Sequence, residues 1–170
     1  MQEFFNPAGL EVAEDTWGAV AYGFIVPRVL YARFVGQLSA ELGARYVERL
    51  TTLVAELPSL AYFADASALS SYECTARNRF LRFALDHRRK LASIVILTWS
   101  GGLTPASRGF AATVGEPITM LDDPSEFDRL LANVVPALPR DYAPGDLREV
   151  HEPQESTARP LLARSVRRSA

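Results

Sequence analysis

The residues of this 170-residue chain with most chemistry to offer lie between Asp65 and Lys90. Asp65-Ala66-Ser67-Ala68-Leu69, followed by Ser70 and Ser71, sets a carboxylate two places before a hydroxyl, with two more hydroxyls just beyond. Where a strand ends and a helix begins, that spacing suits a turn in which Asp65 accepts from backbone amides and Ser67 caps the helix. Cys74 is the single cysteine, which excludes an intramolecular disulfide and a cysteine-built metal site. It is expected as a small buried residue, although a thiol near a helix start can also be acidified. Arg77, Arg79, Arg82, Arg88, Arg89 and Lys90 form a basic run that could hold phosphates. With no aromatic platform beside it, the run reads as the solvated face of a helix, so no nucleic-acid partner is expected. His87 and His151 stand alone without metal-ligand spacing, and Ser100-Gly101-Gly102 lacks the spacing and lysine of a phosphate loop. No nucleophile elbow, triad or paired-carboxylate site is present. The expectation is a protein that binds and does not catalyse, with no cofactor and no metal.

Composition agrees with one ordinary domain. Hydrophobic residues make up 48% and charged residues 22%, and the formal net charge of −2 gives no global pull toward nucleic acid or an anionic membrane. No apolar run is long enough to cross a bilayer. Met1 to Phe5 carries Glu3 where a signal peptide carries lysine or arginine. A cytoplasmic protein, most simply bacterial, is expected.

The elements that must position these residues follow from periodicity. Residues 1–16 show no clear period and read as a lead-in. Ala19 to Val26 and Val29 to Gln37 are apolar runs separated by Pro27-Arg28, a hairpin signal. Ser39 is a plausible N-cap for a helix whose Leu42, Tyr46, Leu50, Leu53, Val54 and Leu57 form one stripe, ended by Pro58. A short strand, Leu60 to Ala64, leads to Asp65. A helix from about Thr75 to Leu91 turns Phe80, Leu81, Ala84, Leu85 and Leu91 to the core. Ile94 to Thr98 reads as a buried strand, Thr104-Pro105 opens a short helix to Val114, and Ile118 to Leu121 is the last strand. Asp123-Pro124-Ser125-Glu126 is a capping-box signal for a final helix burying Phe127, Leu130, Leu131 and Val134. The order β-β-α-β-α-β-α-β-α predicts an α/β domain, a mixed and mostly parallel sheet covered by helices, over residues 17–138. Prolines among charged and small residues make 139–170 a tail without packing.

Three stretches in this order resemble the STAS domain family, whose founding members are the SpoIIAA-like anti-sigma-factor antagonists. Phe34-Val35-Gly36-Gln37-Leu38 is similar to the family's "G-x-L" corner, and Phe63 to Leu69 to its "D-S/T-S/T-G-L" turn. Arg108-Gly109-Phe110 to Gly115, with Ile118 and the Asp123-Pro124 helix, is similar to its closing pattern. The resemblance implies a non-catalytic signalling module that binds a protein partner, a kinase-like anti-sigma factor or a scaffold, with homo-oligomers possible. It places Ser67 at the phosphoacceptor position and Asp65 at the preceding aspartate. This sequence departs from the pattern at Ala66 and Ala68, and its segment to the next strand is longer. A phosphate on Ser67 is expected to meet a helix N-terminus and to disrupt docking around Asp65, Ser67, Ser70 and Ser71 by its charge. Other relatives bind lipids or small molecules, for which a cleft between sheet and helices would serve. In the tail, Leu161-Leu162-Ala163-Arg164-Ser165-Val166-Arg167-Arg168 resembles the C-terminal peptides that load cargo into encapsulin shells, with Leu161, Ser165, Val166, Arg167 and Arg168 matching. It is also a generic docking peptide, with Leu161 and Leu162 as anchors.

Overall fold

A computed structural model describes residues 10–99, 105–115 and 118–135, without the side chains of 105–108. The tail peptide, His151 and the Ser100-Gly101-Gly102 loop lie outside the described residues. The elements are β1 (Glu11–Glu14), β2 (Gly18–Val26), β3 (Val29–Leu38), α1 (Ala40–Ala55), β4 (Leu60–Tyr72), α2 (Cys74–Asp86), β5 (Leu91–Thr98), α3 (Pro105–Val114), β6 (Ile118–Leu121) and α4 (Pro124–Val134). They build one six-stranded sheet in the order β1-β2-β3-β4-β5-β6. β1/β2 and β2/β3 are antiparallel, while β3/β4, β4/β5 and β5/β6 are parallel. The expected α/β architecture holds from β2 onward.

The lead-in is corrected, because residues 11–14 form the edge strand β1. Four residues of an edge strand, with Val12 53% exposed, are too few and too solvated to show a period. Side chains fasten β1 instead. Glu11 pairs with Arg49 of α1 and accepts from the Tyr22 hydroxyl at 3.0 Å. Arg45 donates to the Glu14 carbonyl at 2.7 Å. The Asp15 carboxylate accepts from Trp17 N, Gly18 N and Ser39 Oγ, and Ser39 Oγ in turn caps α1 by accepting from Leu42 N at 3.0 Å. The hydrogen bond from Arg49 holds Glu11 below the ordinary glutamate value, and that from Ser39 does the same for Asp15. A depressed carboxylate pKa stabilises the fold above its unfolded value and ceases to do so as pH falls through the folded one. Melting temperature should therefore decline below about pH 5 with a slope that the Glu11→Gln/Asp15→Asn variant flattens. An identical acid slope in that variant contradicts the assignment.

Alternation along the strands divides the core. Leu30, Ala32, Phe34, Tyr62, Ala64, Ala66 and Ile94 face the side of α1, α2 and α3. Tyr31, Phe63, Val95 and Leu97 face the side where α4 buries Phe127 and Leu131. Both faces of the central strands are thus covered, as their continuous apolar runs require. Asp123 caps α4 by accepting from Ser125 N at 2.9 Å, with Pro124 in the first turn. Glu126, expected to reach back, pairs with Arg129, and Val134 is 37% exposed where burial was expected. α2 stops at Asp86, and Leu91 opens β5 in place of closing the helix. Leu85 is correspondingly 43% exposed. Lys90 between them donates to the Val54 and Ala55 carbonyls at 3.1 and 2.9 Å, closing the end of α1.

The strand through the Asp65 motif is the main departure from expectation. β4 does not end at Ala64 but runs to Tyr72, paired with β3 as far as Leu38↔Tyr72. Between Arg33↔Asp65 and Val35↔Ala68 the register shifts, so Ala66 and Ser67 oppose Phe34 alone, a β-bulge. The extra residue reverses the alternation, and Leu69 returns to the face of Ala64 and Ala66. A period-2 reading breaks at such a bulge and so ends the strand early.

Candidate functional site

Two arrangements emerge from this frame. The first is the sequence-predicted one. Asp65 is fully buried, and its Oδ1 accepts from Ser67 N at 3.0 Å and from Ser67 Oγ at 2.5 Å. Its Oδ2 lies 3.4 Å from the Tyr31 hydroxyl. Ser67 is half-buried, while Ser70 and Ser71 are exposed, with Ser70 Oγ donating to the Gly36 carbonyl at 2.9 Å. Asp65, Ser67, Ser70 and Ser71 therefore lie along one strand. The predicted place of Ser67 at a helix N-terminus is corrected, because α2 starts at Cys74 with Glu73 as its N-cap residue. Strand pairing with β3 wins over the turn that Asp65 and Ser67 suggest. Asp65 uses its turn chemistry to hold the bulge. Cys74 is exposed and not buried. Among the described residues no cluster of histidine, cysteine and acidic side chains could hold a metal ion.

The second arrangement is a cleft between sheet and helices, the alternative raised above, whose residues the sequence did not identify. On the face of α1, α2 and α3 the sheet is hollow. The floor is built of small residues, Ala64 and Ala66 in β4, flanked by Phe34 and Leu38 of β3, Ile96 of β5 and Met120 of β6. Gly43, Tyr46 and Val47 of α1 form one wall, with Ala76, Arg77 and Phe80 of α2 and Phe110 of α3 opposite. Tyr72 and Trp99, rings 6.4 Å apart, stand at the carboxyl end of the strands. The cavity measures about 130 Å³ and opens to solvent. α1 and α2 approach closely at its wall, where a Cβ on Gly43 would lie 2.7 Å from Ala76 Cβ.

The lining is almost wholly apolar and strongly aromatic. Phe34 meets Tyr46 edge-on at 5.4 Å, Tyr62 lies 5.7 Å from Phe80, and Phe80 stacks on Phe110 at 6.0 Å. Its polar groups are few. Thr98 Oγ1 donates to the Leu121 carbonyl at 3.0 Å, and Arg77 lines the wall as a half-buried residue. Tyr46 and Tyr62, both buried, join hydroxyl to hydroxyl at 2.9 Å. Burial raises the pKa of both phenols, so both stay protonated at physiological pH. The rest of the basic run behaves as expected of a solvated face, since Arg79, Arg82, Arg88 and Arg89 are exposed. No long apolar helix fit to cross a membrane occurs among the described residues.

Among solved structures, the architecture matches an uncharacterized protein of the DUF3478 family from Shewanella loihica PV-4, described as having a SpoIIAA-like fold. The TM-score is 0.50 at 15% identity, over 72% of this chain and 92% of that one. The chain has the SpoIIAA-like fold. This is the STAS fold implied by the resemblance, and at 15% identity the match carries the fold alone. No protein-family model matches the chain, and no curated protein matches it. Within the SpoIIAA-like frame, Gly36-Gln37-Leu38 is the corner where β3 leaves the sheet for α1, and the Asp65 bulge lies on the neighbouring strand.

Could sequence have revealed the cleft? Tyr46, Phe80 and Phe110 satisfy the helical core pattern, and core and cleft residues are identical in a one-dimensional reading. The usable signal is the pair of alanines at the floor, Ala64 and Ala66, in a strand that also carries Leu60, Tyr62, Phe63 and Leu69. Ala64 and Ala66 face the helices where larger side chains would close the space.

Proposed function

We propose that the protein is a non-catalytic STAS-type binding module whose cleft takes a small, largely apolar ring compound. The observation that carries this reading is the cavity of about 130 Å³ over Ala64 and Ala66, open at one side and walled by aromatic rings. A hole of this size and polarity is costly to leave lined with unpartnered apolar atoms, and dry cavities of about 150 Å³ accept benzene-sized guests. Aromatic walls favour flat guests through offset and edge-on ring contacts. Trp99 lies in the lining, whereas Trp17 is 67% exposed, so a Trp17→Phe background isolates emission from the cleft. Titration of that variant with ethylbenzene should change Trp99 emission saturably. A linear, non-saturating response removes the reading.

A second reading, regulatory binding of a protein partner as in anti-sigma-factor antagonism, draws support from the bulge. Ser67 Oγ is half-buried against Asp65, and Ser70 and Ser71 are exposed just beyond it. A phosphate on Ser67 would bring a charge of about −1.5 to −2 against the buried carboxylate. In this arrangement modification acts by breaking the bulge and altering the strand surface a kinase-like or scaffold partner touches. Ser67→Asp should lower stability by about 1–3 kcal/mol, through lost hydrogen bonds and like-charge repulsion, and should release the partner. Ser67→Ala should keep the partner. Equal capture of a partner by all three proteins removes the switch. The 161–168 segment, with Leu161, Leu162, Ser165, Val166, Arg167 and Arg168, is proposed as a separate docking peptide, tested by cutting the chain before Pro160.

A further inference from the structure

Tyr46 and Tyr62 face each other across the cleft with their hydroxyl oxygens 2.9 Å apart. Each phenol carries one proton, and a hydroxyl pair consumes only one of the two. Neither oxygen has another hydrogen-bond partner among the described residues. Tyr46 and Tyr62 are 2% and 1% exposed, so bulk water does not receive the second proton. One buried hydroxyl proton is therefore left over, on a side chain that lines the cavity. Buried donors are almost always satisfied, yet Phe34, Val47 and Phe80 beside this one have no side-chain acceptor to offer. Tyr22, whose ring lies 5.0 Å from that of Tyr46 and whose hydroxyl donates to Glu11, makes no hydrogen bond with the pair.

Resting on the ligand-binding reading above, we infer that the guest carries a neutral hydrogen-bond acceptor, a carbonyl-type oxygen, seated against the Tyr46–Tyr62 hydroxyl pair. A carboxylate or phosphate suits this place less well than a neutral oxygen, because the lining is almost wholly apolar. The pair supplies one hydroxyl proton where an anion losing its water needs several donors or a paired charge, and Arg77 is the one cationic residue among the described residues of the lining. The pair sorts guests by chemistry. A ring compound with one carbonyl satisfies the spare donor, and the matching hydrocarbon leaves it unpaired.

Acetophenone and ethylbenzene differ by a carbonyl in place of a methylene and serve as the probe pair. The readout is the ratio of their affinities in four proteins, the wild type, Tyr46→Phe, Tyr62→Phe and the double variant. Either single substitution leaves one hydroxyl whose proton is freed by the loss of its partner, so both should keep the wild-type ratio within about threefold. The double variant should lose about tenfold in acetophenone affinity relative to ethylbenzene, equivalent to 1.4 kcal/mol. An unchanged ratio in the double variant, with both guests still bound, overturns the acceptor inference and leaves the ligand-binding reading standing. Binding of neither guest by the wild type overturns both. Should the double variant fail to fold, the carbonyl stretching frequency of acetophenone bound to the wild type decides. A value shifted below that in hexane is expected, and a hexane-like value contradicts the inference.

Discussion

Ala66→Leu is expected to abolish guest binding while leaving the fold as stable as the wild type or more so. Ala66 is 8% exposed, lies on the floor of the cavity and belongs to the core cluster facing α1, α2 and α3. The added carbon atoms enter space now empty, so the usual cost of overpacking does not arise and apolar contact is gained instead. The guest loses the same space. Affinity for ethylbenzene should fall by at least about tenfold, or 1.4 kcal/mol, with an unchanged or raised melting temperature. Retained affinity at wild-type strength would place the guest elsewhere. A fall in both affinity and stability would mean that the floor is already closely packed.

Gly36→Ala is expected to have the largest effect on stability. Gly36 has φ +76°, a backbone conformation that costs a residue with a side chain of order 1 kcal/mol or more. A Cβ there would also lie 2.6 Å from the Trp17 carbonyl oxygen and 3.1 Å from Gly18 Cα. The opposing position is equally closed, since a Cβ on Gly18 would meet the Gln37 carbonyl at 2.4 Å. Backbone must move on one strand or the other. The β2–β3 pairing that would shift carries Gln37 N→Trp17 O at 2.9 Å and, one residue further, the corner into α1. A loss of about 2–4 kcal/mol is expected from strain and displaced strand hydrogen bonds, read as a lowered midpoint in urea. An alanine variant within 0.5 kcal/mol of wild type contradicts the crowding argument.

What the sequence made legible follows from how local each signal is. The hairpin, α1 and α4 are written in caps and stripes within a dozen residues, and the Ser39 and Asp123 caps form as expected. The three STAS-like stretches pointed to the fold because they are short and ordered along the chain. β1 was hidden because its stability comes from Arg45 and Arg49, more than thirty residues away. The length of β4 was hidden because a bulge breaks the alternation at Ser67, leaving Ala68 to Tyr72 to be recognised only by their pairing with β3. The cleft was hidden for a different reason. It exists through what Ala64 and Ala66 lack, and missing volume between the helices and the sheet leaves no mark in a linear pattern.

The most direct test of the central claim locates the guest. In an NMR experiment with methyl-labelled alanine and methionine, intermolecular nuclear Overhauser effects should connect ethylbenzene to the Ala64, Ala66 and Met120 methyl groups, which line the cavity. They should be absent from Ala13 and Ala61, which lie outside its lining. Contacts to those latter methyls alone, or none at all under saturating guest, would contradict the assignment of this cleft as the binding site.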